Sequence, residues 1–329
     1  MLQFHQLSGS EIDNLLDSAA LPGRAGHRAL GRLLRLIDDL SPDSDLIDEK
    51  VKGSAFRAAR IGLTGPPGSG KSSLIAHSLE LLAMEEGSSD RKIGVLAVDP
   101  TSPFTGGAIL GDRVRLKGPV TDNVFFRSLA SRGSLGGVSR AIWPSARVLD
   151  FWGAEFILIE TVGSGQLGTG VADVADLVVA VLTPEAGDGI QSMKAGVMEL
   201  ADCFIVNKTD RPGGDLVLKE LKLVKEEAAS AGRILEVFPT SATNGDGVRE
   251  AVDGVRELFR KLNESGEIGK RRVEQVRREI KFRTETKLQA AIIEKLGGKS
   301  LYLSSLDEWV EKIMAGDATV SEAASSLSQ

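Results

Sequence analysis

The sequence has little of the chemistry that marks secreted, metal-rich or membrane-spanning proteins. It contains a single cysteine, Cys203, which excludes an internal disulfide and fits a reducing compartment. Its 3 histidines, His5, His27 and His77, are scattered along the chain and indicate no metal cluster. No apolar run approaches the roughly 20 residues of a membrane span, and the first residues lack the basic-then-apolar order of a signal peptide. We therefore expect a cytoplasmic protein that has no membrane partner.

An excess of basic residues is also absent. The 329 residues include 40 Lys and Arg and 46 Asp and Glu, which gives a formal net charge of −6. This balance argues against broad, non-specific binding of nucleic acid. The hydrophobic content of 42% and the charged content of 26% are ordinary for a globular protein. We expect no nucleic-acid partner and, from the length, more than one small domain.

The patterning predicts an N-terminal helical extension, a central domain and a C-terminal helical arm. Their bounds are residues 1–55, 56–262 and 263–329. In the first part, Ser8 to Glu11 is typical of a helix start, and a second helix is predicted from about Gly26 to Leu40. The leucines of the second helix recur at helical spacing, which indicates a stripe that packs on the next domain. Ser41 to Asp45 is predicted to end that helix and to cap a short third one.

The central part alternates strand-like apolar runs with helical stretches, as in an α/β fold with a mostly parallel sheet. The predicted strands are Ile61–Thr64, Ile93–Val98, Val124–Phe126, Phe156–Ile159, Leu177–Leu182, Cys203–Val206 and Ile234–Phe238. Continuous apolar runs suit strands that are covered on both faces. Polar motifs follow these runs directly, and ligands of such sheets bind beyond the carboxyl ends of the strands. We expect a binding site at that edge.

A phosphate-binding loop is predicted directly after the first of these strands. The segment reads GPPGSGKS and fits the P-loop pattern G-x-x-x-x-G-K-[ST]. Its glycines let backbone N–H groups approach phosphate oxygens, and the helix that follows adds the positive end of its dipole. Lys71 is predicted to reach the β- and γ-phosphates and to act in catalysis, while the Ser72 hydroxyl is predicted to bind Mg²⁺. The predicted phosphate-binding residues are Gly65, Pro67, Gly68, Ser69, Gly70, Lys71, Ser72 and Ser73.

Acidic residues at later strand ends predict the rest of a Mg²⁺ site. Asp99 follows the second strand, and Glu160 ends the fourth strand. Asp112, in a Gly-Asp-Arg segment, is a further candidate carboxylate. A carboxylate three residues before Gly163 has the layout of a γ-phosphate sensor, in which the glycine N–H contacts the phosphate. Glu160 reaches one methylene further than the Asp of most GTPases, so we predict a catalytic role in positioning water. A turn or helix cap stays an open alternative for Asp99.

The segment Asn207-Lys208-Thr209-Asp210 predicts recognition of guanine. The Asp210 carboxylate can accept hydrogen bonds from the N1–H and the 2-amino group of guanine, and adenine lacks both donors in that arrangement. Asn207 is predicted to connect this loop to the P-loop, and Lys208 to cover the base with its aliphatic stem. Ser241 and Ala242 follow the last strand and are predicted to contact the base.

Other segments leave alternatives open. The segments Phe104–Leu110 and Pro184–Gln191 are predicted as movable loops, although each also reads as a plain connection. The C-terminal part predicts one long amphipathic helix that ends at Gly297-Gly298, with a shorter helix near Ser305–Ala315. We interpret the basic cluster Lys270–Arg272 in that helix as a solvated face.

Several of these segments together resemble the MeaB/ArgK family. The matching segments are Val98–Gly107, Leu110–Arg113, Arg132–Gly137, Ile159–Gly163 and Ala186–Gln191. Members of this family are G-protein chaperones of adenosylcobalamin-dependent acyl-CoA mutases such as methylmalonyl-CoA mutase. The resemblance is dense from about residue 56 to 260, and the helical extensions also suit the family. This combination of segments is specific to the family, whereas a P-loop alone is not.

The resemblance implies a homodimeric, Mg²⁺-dependent GTPase whose mutase partner raises its rate. It also implies that GTP hydrolysis gates cobalamin loading and protects the mutase, with GTP or GDP as the bound nucleotide. A nickel-insertion GTPase is an alternative, but such sites need clusters of His and Cys. A nucleotide-gated scaffold with negligible turnover is a second alternative, which a turnover assay separates from a GTPase.

Overall fold

The computed structural model describes all residues except 1–6, 40, 42, 55, 86–90, 100–121, 132–138, 162–168, 187–195, 316 and 329. The chain forms two compact units, Met1–Arg272 and Val273–Gln329. The division into three parts at residues 55 and 262 stays a prediction.

A seven-stranded sheet forms the centre of the first unit. Its strands are β1 (Ala59–Thr64), β2 (Lys92–Asp99), β3 (Val124–Ala130), β4 (Ala154–Glu160), β5 (Leu177–Leu182), β6 (Cys203–Val206) and β7 (Glu236–Pro239). Their order across the sheet is β3-β2-β4-β1-β5-β6-β7, and each neighbouring pair is parallel. The predicted strands are confirmed, and the fold is an α/β P-loop NTPase fold. Because the strands are parallel, their carboxyl ends lie along one edge.

Helices precede, connect and follow the strands. The α-helices among the described residues of the first unit are α1 (Gly9–Ala20), α2 (Gly23–Asp38), α3 (Asp43–Lys50), α4 (Lys71–Met84), α5 (Ile142–Trp152), α6 (Val197–Leu200), α7 (Gly214–Ser230) and α8 (Val248–Glu264). Short 3₁₀ helices occupy Lys52–Ser54, Thr169–Asp173 and Pro184–Ala186. A further helix, α9 (Glu267–Lys295), crosses the boundary between the units, and α10 (Lys299–Ala315) and α11 (Val320–Ser328) complete the second unit.

Apolar side chains alternate between the two faces of the sheet, and helices cover both faces. On β5, Val179 and Val181 belong to a core that includes residues of α4 and α8. Ala180 and Leu182, one position away, belong to a second core that includes residues of α7. Successive residues of a strand point to opposite faces, so a continuous apolar run is what a doubly covered strand requires.

The N-terminal helices pack as the sequence predicts. Ser8 caps α1 through a capping box with Glu11, because the Ser8 hydroxyl accepts from the Glu11 N–H and the Glu11 carboxylate accepts from the Ser8 N–H. The apolar stripe of α2 is buried, and this helix contacts α5 and β3. The helix begins at Gly23, three residues before the predicted start.

A buried ion-pair network holds the amino ends of the central strands. The Asp150 carboxylate of α5 accepts from Arg60 Nη2 at 2.6 Å, and both side chains are at most 1% exposed. It also accepts from the backbone N–H groups of Phe56, Arg57 and Ala58, which lead into β1. The negative charge of Asp150 is therefore both paired and hydrogen-bonded, as a buried charge requires.

Two adjacent arginines connect the start of α9 to the same end of the sheet. Arg271 donates two hydrogen bonds, of 2.8 and 2.9 Å, to Asp202, which directly precedes β6. Arg272 donates two, of 2.7 and 2.6 Å, to Asp176, which directly precedes β5. The interpretation of this basic cluster as a solvated face is therefore wrong for Arg271 and Arg272. Their carboxylate partners are buried and distant in sequence, so the local charge pattern does not reveal them.

The second unit differs from the prediction in its helix boundaries. The predicted long helix, expected from about residue 263, is confirmed as α9 and begins at Glu267, directly after Gly266 with its φ of 78°. Gly297 and Gly298 end α9 with φ values of 84° and 105°, as predicted. The next helix begins at Lys299, and α11 was not predicted. None of the described helices combines the length and the apolar character that crossing a membrane requires.

We predict that Asp150→Asn lowers the free energy of unfolding by about 3–5 kcal/mol, because it removes the charge that compensates buried Arg60. Equilibrium unfolding in urea measures this loss. The matched control is Asp253→Asn, since Asp253 is 57% exposed and lies 3.8 Å from Arg256. The control should change stability by less than about 0.5 kcal/mol. Equal effects of the two substitutions would contradict a structural role for the buried network.

Candidate nucleotide-binding site

The predicted phosphate-binding and metal-binding residues of the described chain lie at one edge of the sheet. The P-loop begins directly after β1. Glu160 ends β4 and is in register with Leu63 of β1 on one side and with Ala97 of β2 on the other. Asp99 ends β2, two residues beyond Ala97, and is fully buried. The sheet register therefore brings the P-loop, Asp99 and Glu160 to neighbouring strand ends.

The conformation of the P-loop depends on its glycines. Gly65, Gly68 and Gly70 have φ values of 149°, 72° and 95°, which L side chains rarely adopt. A Cβ atom at Gly65 would lie 2.3 Å from the carbonyl oxygen of Val181. One at Gly70 would lie 2.2 Å from Asn207 Nδ2. These positions therefore admit only glycine without a shift of the surrounding backbone or of the Asn207 amide.

The first turn of α4 points its free backbone groups towards this loop. The helix begins at Lys71, and its N-cap Gly70 provides no side-chain cap for the first N–H groups. Lys71 is 6% exposed, and its Nζ donates to the carbonyl oxygens of Gly65 at 2.8 Å and Pro66 at 3.1 Å. The ammonium group is thus held inside the loop. Pro67, Gly68 and Ser73 are exposed, and Ser69 is buried.

Ser72 and Glu160 come together across the site. Ser72 Oγ donates to Glu160 Oε1 at 2.6 Å, although the residues are 88 positions apart in the sequence. Hydroxyl and carboxylate oxygens are the ligands that Mg²⁺ prefers. Asp112 and Gly163, predicted as a metal ligand and a phosphate-binding residue, lie outside the described residues. So do the predicted loop segment 104–110 and the last five residues of the predicted loop 184–191, whose first three residues form a 3₁₀ helix.

Asn207 connects the base-recognition loop to the P-loop. Its Nδ2 donates to the carbonyl oxygen of Ser69 at 2.8 Å. Its Oδ1 accepts from the Ala242 N–H at 2.9 Å and from Thr240 Oγ1 at 3.2 Å. The predicted connection between the two loops is confirmed. One buried amide therefore fixes the relative positions of three loops, those after β1, β6 and β7.

The Asp210 carboxylate is exposed and oriented by a neighbour. Ser241 Oγ donates to Asp210 Oδ1 at 2.6 Å, and this bond lowers the pKa of Asp210 below its usual value. The group is therefore ionised at neutral pH and can accept hydrogen bonds from a ligand. Lys208, two residues before it, has a φ of 62°, an uncommon conformation for a residue with a side chain. Thr209 Oγ1 donates to the Thr240 carbonyl at 3.0 Å, which joins the two base loops a second time.

One pair beside the site was missed in the sequence. Arg211 Nη1 lies 2.7 Å from Glu185 Oε1, which joins the base-recognition loop to the loop that follows β5. This bond holds the pKa of Glu185 well below its usual value, near 2. The sequence did contain a signal for this pair. Glu185 follows β5, Arg211 follows β6, and the two residues carry opposite charges. Both side chains are about half exposed, so their contribution to stability is small.

The described residues also bear on the nickel-insertion alternative. Cys203 is fully buried at the start of β6, and burial raises the pKa of its thiol. A thiol of this kind is a core side chain and not an accessible metal ligand. Within the ranges that the structure describes, no group of three or more His, Cys, Asp and Glu side chains is arranged to hold a metal ion.

Comparisons with known proteins agree with this geometry. The family model described as "Methylmalonyl Co-A mutase-associated GTPase MeaB" matches residues 30–296. A Pyrococcus horikoshii protein named as a GTPase is 40% identical over 275 residues, which cover 82% of this chain and 84% of the relative. A Mycobacterium tuberculosis protein named as a GTPase is 32% identical over 336 residues, with coverages of 98% and 96%.

Two further comparisons have either a lower coverage or a lower identity. The mitochondrial methylmalonic aciduria type A homolog of Mus musculus is 37% identical over 223 residues, which cover 65% of this chain and 52% of that protein. The crystal structure of a LAO/AO transport system kinase has a TM-score of 0.65 at 20% identity, and each chain is covered to 98%. At this identity the second comparison supports the fold alone. The family match over most of the chain and the relatives named as GTPases show that this chain belongs to the MeaB family of methylmalonyl-CoA mutase-associated GTPases.

Proposed function

We propose that this chain binds GTP with Mg²⁺ at the carboxyl edge of its sheet and hydrolyses it to GDP and phosphate. The observation that carries the proposal is the Asn207 amide, which joins the base-recognition loop to the P-loop. A base held at Asp210 and phosphates held at the P-loop then belong to one ligand. Family membership supports the same reaction.

The phosphate end of the site is supported by the arrangement of backbone and ammonium groups. The glycines leave room beside the loop, and the first N–H groups of α4 add a positive partial charge. Lys71 now contacts two loop carbonyls and can move its Nζ to the β- and γ-phosphates of a bound nucleotide. Its charge then stabilises the negative charge of the transferred phosphoryl group.

The donor set at this edge fits Mg²⁺. Ser72, Asp99 and Glu160 provide one hydroxyl and two carboxylates near neighbouring strand ends, and Asp112 belongs to the same predicted set. The proposed metal ligands are therefore Ser72, Asp99, Asp112 and Glu160. When bound, Mg²⁺ neutralises charge on the β- and γ-phosphate oxygens. Protein sites for this ion retain several of its waters, so few protein oxygens need to contact it directly.

Guanine recognition is assigned to Asp210. Its carboxylate is ionised, exposed and held by one hydrogen bond from Ser241, which leaves acceptor lone pairs for the two donors of a guanine base. An adenine base would leave this carboxylate desolvated and without hydrogen-bond donors, which costs binding energy. Lys208, Ser241 and Ala242 complete the proposed base site.

Glu160 is the proposed residue for positioning the attacking water. Its carboxylate is 5% exposed and is held by the Ser72 hydroxyl, so its orientation is fixed before a ligand binds. A fixed carboxylate can orient a water by accepting one of its protons in a hydrogen bond. In this family of reactions, positioning and charge stabilisation provide most of the catalysis.

In the cell, we assign the GTPase to an adenosylcobalamin-dependent acyl-CoA mutase as its chaperone. The family description names methylmalonyl-CoA mutase, and the mouse relative is named for methylmalonic aciduria. GTP hydrolysis would then gate cobalamin loading and protect the mutase.

We also propose that the chain forms a homodimer through its C-terminal arm, where Leu288, Val310 and Val320 are 60%, 55% and 71% exposed. A monomeric mass in light scattering would contradict the dimer.

We predict that Asp210→Asn weakens GTP binding by about 10- to 100-fold and makes xanthosine triphosphate the preferred ligand, because the pairing of donors and acceptors is exchanged. Isothermal titration calorimetry with Mg²⁺ present measures both affinities. The control is Asp215→Asn in the first turn of α7, an exposed position that should leave both affinities unchanged. An unchanged preference for GTP in Asp210→Asn would remove the assignment of the base site.

We predict that Glu160→Ala slows GTP hydrolysis by about 100-fold while GTP affinity falls far less, because the residue acts mainly on the water. Single-turnover hydrolysis and equilibrium binding separate the two effects. Glu155→Ala, at the other end of β4, is the control and should leave both quantities near those of the unmodified chain. Equal rates in the Glu160→Ala variant and the unmodified chain would demote Glu160 to a structural role.

We predict that the purified mutase of the source organism forms a complex with this chain and raises its GTPase rate. The amount of complex should differ between GDP and a non-hydrolysable GTP analogue, because a gate must distinguish the two states. Size-exclusion chromatography and a phosphate-release assay measure these effects, with albumin as the control protein. Turnover that is unaffected by the mutase, together with no complex in either nucleotide state, would reject the chaperone role but not the GTPase.

A further inference from the structure

A cavity lies on the face of the sheet that α4 and α8 cover. Its volume is about 70 Å³, and it is lined by residues of α4, α8 and the central strands. Leu74 and Leu82 of α4, Val252 and Phe259 of α8, and Leu158 of β4 are among them. Close-packed protein interiors contain few voids larger than a water molecule. A space of this size behind the first helix of a nucleotide-binding fold therefore requires an explanation.

On β4 and β6, burial differs slightly between the two faces of the strand. The side chains that point to the cavity keep some exposure, with Leu158 at 8% and Ile205 at 6%. Their neighbours on the opposite face, Ile157, Ile159 and Phe204, are 0% exposed. Leu158 and Ile205 are nonetheless buried, and Val179 of β5, which also lines the cavity, is only 2% exposed.

The lining offers almost no partners for a polar ligand. Among the lining residues, all within the described part of the chain, only Ser78 and Arg256 carry polar groups on their side chains. Ser78 Oγ donates to the Leu74 carbonyl at 2.7 Å. Arg256 Nη1 donates to Glu85 Oε1 at 2.8 Å. A buried water needs two to four polar partners, so this cavity is poorly suited to water as well.

We propose that this cavity is a binding site for a small, neutral, hydrocarbon-like ligand. Apolar cavities in proteins stay dry and bind apolar guests, and one of about 150 Å³ holds benzene or xenon. The smaller space here favours guests below the size of benzene, such as xenon or a short branched hydrocarbon. A bound guest provides the van der Waals contacts that the lining side chains lack when the cavity is empty.

The ligand would contact the helix that begins at the P-loop. Leu74 and Ile75 line the cavity and lie within one turn of Lys71, the first residue of α4. Occupancy therefore stabilises the packing of α4 on the sheet. An effect on GTP rests on the proposed function, but binding of the guest does not.

Xenon tests the site on the full chain without nucleotide. Crystals pressurised with xenon should show an anomalous peak between α4, α8 and β4. In solution, xenon NMR should show a concentration-dependent shift that Ala251→Val reduces several-fold, because Ala251 lines the cavity and the larger side chain fills it. The matched control is Ala229→Val on an exposed position of α7, which should retain the shift.

Two results would overturn the proposal. One is the absence of a xenon peak from the cavity in crystals of the unmodified chain, which decides the matter even where Ala251→Val fails to fold. The other is an equal xenon shift in the unmodified chain and in a folded Ala251→Val variant. Neither result depends on whether the chain binds GTP, so a failure of this site and a failure of the GTPase assignment are distinguishable.

Discussion

The buried carboxylates of Asp150 and Asp176 are the constraint on which the rest of the first unit depends. Asp150 pairs with Arg60 and caps the segment that leads into β1, while Asp176 accepts from the Arg60 N–H and from Arg272. These contacts fix the amino ends of β1 and β5. Because parallel strands of similar length share one direction, a fixed amino edge also determines where the carboxyl edge lies. The candidate site is therefore organised from the opposite end of the sheet.

At the carboxyl edge a single amide has the corresponding role. Asn207 contacts Ser69 and Ala242, and a side chain at Gly70 would occupy the position of its Nδ2. The glycine and the amide are thus required together, since a Cβ at one would displace the other. This dependence explains why two motifs far apart in the sequence act as one site. The hydrogen bonds by which Asn207 joins the loops involve only uncharged groups.

The strands and the motifs that follow them were predicted well from the sequence, because both are recognised from neighbouring residues. Continuous apolar runs identify strands such as β5, and the P-loop and the Asn207 motif are contiguous segments. It failed for Arg271 and Arg272, whose carboxylate partners lie 69 and 96 positions away. The contact of Ser72 with Glu160 likewise depends on the register of the sheet. That register cannot be predicted from the residues next to either position.

Helix α4 connects the two properties that distinguish this domain. Its first turn carries Lys71 and Ser72, and its next turns carry Leu74 and Leu82 against the cavity. The first turn of α4 is polar and lies at the proposed nucleotide site, and one apolar side of the helix lies against the cavity. The position of α4 should therefore respond both to the nucleotide and to an apolar guest. Loss of packing contacts lowers the cost of a small displacement, whereas the loop bonds of Lys71 resist it. Both ends of α4 are thus held by polar contacts, since Glu85 at its C-cap accepts from Arg91 and Arg256.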